Sequence, residues 1–127
     1  MIAQYDELEP RALPGHKVNG GLTVGENIGD LGGLTIALNA YEISRGDTPA
    51  PEIDGLSGQQ RAFFNWSLVW RGKYREALAQ QLLTVDPHSP PDLRANVVRN
   101  LDEFHAAFET APGDGLWLEP DERVRIW

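Results

Sequence analysis

From Leu22 to about Arg45, apolar side chains return every three or four residues, at Ile28, Leu31, Leu34, Leu38 and Tyr41. That rhythm belongs to one long helix with a single face that has to be buried. No stretch of the chain alternates convincingly with period two, so the sequence predicts a mostly α fold. At 127 residues it is one domain's worth of chain, and a hydrophobic share of 41% is enough for a core. We divide residues 1–127 into an irregular leading loop at 1–21, a helical body at 22–111 and an extended tail at 112–127. No apolar run approaches the roughly 18 residues a membrane span needs, and the acidic start, with Asp6, Glu7 and Glu9, does not read as a signal peptide. With 11 basic against 19 acidic residues and a net charge of −8, neither nucleic acid nor an anionic membrane is an expected partner. Cysteine is absent, which excludes disulfides, thiolate catalysis and thiolate zinc sites.

Other elements have local signals. Ser57 with Gln60 three residues later is a capping box, and the helix it opens runs through Phe63, Phe64, Leu68 and Trp70 to a bend or stop at Gly72. Lys73 to Thr84 continues helically, with Tyr74, Leu78, Leu82 and Leu83 as apolar positions. Ser89 is placed to cap a further unit with Pro90 in its first turn, and Asn100 with Glu103 to open a last helix carrying Leu101, Phe104 and Phe108. Asn19-Gly20-Gly21 reads as a turn before the long helix.

The most informative stretch is Gly25-Glu26-Asn27-Ile28-Gly29-Asp30. Glu26 and Asp30 are four apart and share one helix face, where like charges repel. Glycines at 25, 29, 32 and 33 occupy the same turns. Each costs about 1 kcal/mol relative to alanine, which close approach of another helix or a ligand would offset. A cation would relieve the repulsion, one carboxylate binding it and the other orienting a histidine ligand. Equally, the acids could simply favour the positive end of a helix dipole.

His88 lies between Pro87 and Pro90, in a turn with restricted backbone angles. An imidazole held there could donate to a developing oxyanion, and Arg94, six residues on, could grip a carbonyl or carboxylate. Alternatively both are surface residues, with Arg94 paired to Asp86, Asp92 or Asp102. Val69 and Trp70 could be core, or could wall an apolar pocket. His16 and His105 have no partners at ligand spacing, and His105, beside Phe104, reads as structural.

Taken in order, Val18 to Leu34, Phe63-Phe64 through Val69-Trp70, Tyr74-Arg75, Asp86 to Pro90, Arg94, Pro120 and the terminal Arg125-Ile126-Trp127 resemble the neprilysin family of zinc metallopeptidases. That family includes neprilysin, endothelin-converting enzyme and bacterial oligoendopeptidases. The resemblance implies a helical C-terminal subdomain of a zincin-type catalytic domain that hydrolyses peptides. It implies that Glu26 is the third zinc ligand and that Asp30 orients a zinc-binding histidine. His88 then stabilises the tetrahedral intermediate, with Asp86 orienting it. Arg94 holds the substrate backbone, and Val69 and Trp70 line the apolar pocket past the scissile bond. In such an enzyme zinc polarises the carbonyl and activates water.

The family's His-Glu-x-x-His has no counterpart, since histidines stand only at 16, 88 and 105. The resemblance therefore implies a C-terminal piece of a larger enzyme, inactive alone, binding zinc weakly or not at all, with the preceding part of that enzyme as its partner. An exposed apolar wall is expected where that part docks, and it could pair two copies of the isolated chain. Gly29 stands where alanine is commoner. Arg71, Thr110 and Val124 stand where secreted members tend to have cysteines, which favours a cytoplasmic bacterial parent over an exported or anchored one. The rival reading is a non-catalytic helical interaction module with an acidic surface, in which Glu26, Asp30, His88 and Arg94 are free to scatter.

Overall fold

The structure is a computed structural model that describes residues 1–126; Trp127, the last residue of the terminal tripeptide, lies outside the described residues. Among the described residues six α-helices follow one another: α1 (Ile2–Asp6), α2 (Gly20–Arg45), α3 (Gly58–Val69), α4 (Glu76–Val85), α5 (Pro91–Ala95) and α6 (Asp102–Phe108). A 3-10 turn, Asn96–Asn100, links the last two. Among them there is no strand, only an isolated bridge between Ile53 and Leu56. No helix among them is long and apolar enough to cross a membrane.

Helix α2 is the spine. Its buried positions Thr23, Asn27, Asp30, Leu31, Leu34 and Leu38 recur at helical spacing. Leu31, Leu34 and Leu38 meet Phe63 of α3 with Val97, Val98 and Leu101 in the main core. Phe104 and Phe108 of α6 stack on Phe63, with ring centroids 5.4 and 6.1 Å away. A smaller cluster joins Tyr5, Val18 and Leu93, and the Tyr5 hydroxyl donates to the Leu93 carbonyl. Burial pushes the Tyr5 phenol well above its ordinary pKa.

Asn19-Gly20-Gly21 is a helix start rather than a turn. The Asn19 side chain accepts from the Leu22 amide, and α2 begins at Gly20. The leading segment also contains α1, which crosses α2 at this point: the Gly20 amide donates to Asp6 at 2.8 Å. A β-carbon on Gly20 would sit 2.3 Å from the Ile2 carbonyl oxygen. Gly20→Ala is therefore expected to force α1 away from α2, at a cost of about 1–3 kcal/mol in a urea unfolding curve. A neutral result would mean that α1 yields without loss.

The Ser57 capping box forms in both directions, Gln60 amide to Ser57 hydroxyl and Ser57 amide to Gln60 carbonyl. Elsewhere the boundaries move. The segment after Gly72 turns helical only at Glu76, and each of the ten residues of α4 remains at least partly exposed. Ser89 does not cap α5. Pro90 takes the cap position, Pro91 the first turn, and Ser89 is buried against α2. The last helix starts at Asp102, where two acids complement the positive end of its dipole. Asn100 is buried instead: it accepts from Gln4 and from the Val124 amide and donates to Gln4 and to the Val97 carbonyl, tying both ends of the chain to the core. The tail forms turns and bends at residues 112–116 and 120–123, with irregular backbone at 117–119 and 124–126. Arg123 pins it by donating to Asp102 at 2.7 Å and to the Leu118 carbonyl, and this ion pair holds the Asp102 carboxyl below its usual range.

Candidate functional site

Two stretches of sequence more than sixty residues apart meet at one place: the first turns of α2, and the segment that leaves α4 and enters α5. Glu26 and Asp30, on one face of α2, are each matched by a cation-forming side chain from that segment.

His88 sits opposite Glu26. Its Nε2 lies 3.2 Å from Glu26 Oε2, and its Nδ1 lies 2.7 Å from Asp86 Oδ1. The His88 backbone amide also donates to Asp86 Oδ1, at 2.9 Å. That amide bond, followed by the imidazole contact, holds the Asp86 carboxyl below its ordinary pKa. Asp86 ends α4, its own amide bonded to the Leu82 carbonyl. It therefore passes the orientation of α4 to the ring. Glu26 and His88 are each about half exposed at the side chain.

Arg94 sits opposite Asp30. Its Nε reaches Oδ2 at 2.7 Å and its Nη2 reaches Oδ1 at 2.6 Å, a two-pronged pair. The side chains are 15% and 8% exposed. Beyond the pair, the guanidinium carbon lies 3.9 Å from the centre of the Trp70 ring. The hydrogen bonds to Asp30 raise the Arg94 pKa further still. So the partner of Arg94 is Asp30, not Asp86, Asp92 or Asp102.

A cleft of about 850 Å³ opens beside this arrangement. Leu13, Trp70, Tyr74 and Leu83 line it together with His88, Arg94 and other charged residues such as Arg71 and Asp92, so the lining mixes apolar and charged groups; Glu26 and Asp30 are not among the described residues lining it. Helix α4 forms a wall of this cleft, which is why its apolar residues find so little core. Val69 is not among the described residues lining it; at the end of α3 it is 65% exposed. His16 is far simpler, an exposed ring near the Pro14 carbonyl, and His105 is buried between Thr110 and the Arg99 carbonyl.

Sequence reasoning missed two participants, Asn27 and Ser89. Asn27 is fully buried, and its side chain receives the Ser89 hydroxyl at 2.7 Å while donating to the Thr23 hydroxyl at 3.0 Å. The signal was present: Thr23, Asn27 and Asp30 put polar atoms on the buried face of α2, where each needs a partner.

Among the described residues no group of three or more histidine, aspartate or glutamate side chains is arranged to hold a metal ion. Glu26 offers a single half-exposed carboxylate, whereas a catalytic zinc takes three protein ligands. Of those three ligands this chain offers one candidate, Glu26.

A family model described as Peptidase family M13 matches residues 1–124. The neutral endopeptidase of Lactococcus lactis is 38% identical over all of this chain, and human neprilysin is 33% identical, also over all of it. Among solved structures, the zinc metalloprotease Zmp1 of Mycobacterium tuberculosis in complex with an inhibitor is 55% identical over 99% of the chain, with a TM-score of 0.96. The chain spans about a fifth of each of these proteins: 18%, 17% and 20%.

Proposed function

Because the chain belongs to peptidase family M13, we propose that it supplies one wall of the peptide-hydrolysing site of a longer zinc metalloendopeptidase. The observation that carries this reading is the pairing of Glu26 with His88 and of Asp30 with Arg94, the two basic members of which line a single cleft. A module without catalytic ancestry would have left those side chains free to scatter.

On this reading Glu26 is one ligand of a zinc ion whose other ligands lie outside the chain. His88, aligned by Asp86, presents Nε2–H to the oxygen that becomes negative as the peptide carbonyl is attacked. Arg94 is held by Asp30 through two of its five N–H donors, which leaves three for a substrate carbonyl. Asp30 keeps lone pairs for a histidine of the missing part. Trp70, with apolar neighbours in the cleft such as Leu13 and Leu83, takes the substrate side chain past the scissile bond. A separate support is α4. Isolated helices shorter than about 12–15 residues are marginal in water. This one has ten residues, all at least partly exposed, and needs a covering surface.

The test is to express both the longer protein and this chain, and to follow an internally quenched peptide. The longer protein is expected to cleave it, to lose that ability on chelation and to regain it with zinc. The chain alone is expected to cleave nothing. Peptide cleavage by the longer protein that survives complete removal of metal would sink the reading.

A further inference from the structure

We propose that Ser89 and Asn27 are positioning residues, their buried hydrogen bond fixing the His88 imidazole against Glu26. The inference rests on reading Glu26 and His88 as site residues and adds what sets the spacing between them. Asn27 directly follows Glu26 and Ser89 directly follows His88, so the bond joins the two backbones next to the two functional groups. Both partners are inaccessible, Asn27 at 0% and Ser89 at 3% exposure. The bond is the first link of a directional chain: the Ser89 hydroxyl donates to Asn27, Asn27 to the Thr23 hydroxyl, and Thr23 to the Asn19 carbonyl at the start of α2. Buried chains of this kind reinforce one another and hold a single geometry.

The turn itself is poorly equipped to hold that geometry. Pro87 and Pro90 have no backbone N–H to anchor it. The bonds from His88 to Asp86 stay within the turn and orient the ring relative to the turn, not to α2. The Arg94–Asp30 pair ties the same segment to α2 six residues further on; the Ser89–Asn27 bond crosses 62 residues and makes the tie directly beside His88.

The test uses this chain, isotopically labelled for NMR. The unaltered chain should show a cross-peak between the His88 ring protons and the Glu26 side chain. In Ser89→Ala that cross-peak should be lost while the contact between Tyr5 and Leu93 remains. Ser89→Cys, close to serine in shape with a weaker donor, should weaken it part-way and decides the matter if Ser89→Ala does not fold. In the longer peptidase, below its melting temperature, Ser89→Ala should lower kcat about tenfold, or roughly 1.4 kcal/mol, with KM and zinc content unchanged. A purely structural role would move the melting temperature alone. An intact cross-peak in a folded Ser89 variant overturns the proposal, as does its absence from the unaltered chain. Activity surviving Glu26→Gln would instead overturn the reading of the site and leave the NMR result standing.

Discussion

Arg94→Ala should destabilise the chain by about 3–5 kcal/mol, the range for stranding one member of a buried ion pair. Asp30 is only 8% exposed, and each of its oxygens is engaged by the guanidinium. Without Arg94 that carboxylate keeps its desolvation and loses the cation, and Trp70 loses the guanidinium stacked on it. Arg94→Lys should recover part of the loss, because an ammonium is a point charge and cannot span both oxygens in a planar fork. Asp30→Asn combined with Arg94→Ala should cost less than Arg94→Ala alone, since the stranded charge is gone. Urea unfolding curves for the three variants measure each quantity, and the double variant separates pairing from simple packing. A loss below about 1 kcal/mol for Arg94→Ala would put the pair with exposed ones and make it unfit to hold a substrate-binding guanidinium in place.

What could be seen in advance was local. The Ser57 capping box is written within four residues, and the helix it opens is found there. Of the apolar stripe, Leu31, Leu34 and Leu38 are buried as the spacing predicts, whereas Ile28 is 39% exposed and Tyr41 only partly buried. Helix α1 could not be seen the same way: five residues are too few for periodicity, and Tyr5 is ordered by the Leu93 carbonyl, 88 positions away. Asn19-Gly20-Gly21 carries the composition of a turn, and only the docking of α1 against Gly20 makes it a helix start. At the site, residue types and spacing on each segment drew attention to Glu26, Asp30, His88 and Arg94 one segment at a time. Which acid meets which base was beyond local reasoning, because Asp30 and Arg94 are 64 positions apart and nearer aspartates competed for the arginine. Serine before proline carries the signature of a helix cap, yet the Ser89 hydroxyl is spent on a buried asparagine.

His88→Ala in the longer peptidase should lower turnover by about 10²–10³, the usual result of removing one preorganised donor to an oxyanion. The geometry explains why the donor counts as preorganised. Asp86 fixes Nδ1 at 2.7 Å and accepts the backbone amide of the same residue, so ring and main chain are aimed together. Nε2 is then left facing Glu26 across 3.2 Å, beside the cleft that His88 and Arg94 line. On the proposed reading, a metal held by Glu26 would leave His88 Nε2 to donate to a substrate oxygen. Three measurements separate this role from its neighbours. Bound zinc should be retained in His88→Ala and lost in Glu26→Gln, because only Glu26 is proposed as a ligand. KM should change little in His88→Ala, since a bond made chiefly in the transition state enters kcat. Asp86→Asn should fall between His88→Ala and the unaltered enzyme: the amide oxygen still accepts from the backbone, but it no longer supplies the charge that stabilises a donating ring. If His88→Ala turned over as fast as the parent while keeping its zinc, the imidazole would be no more than a partner for Asp86, and the oxyanion would have to be met by another donor.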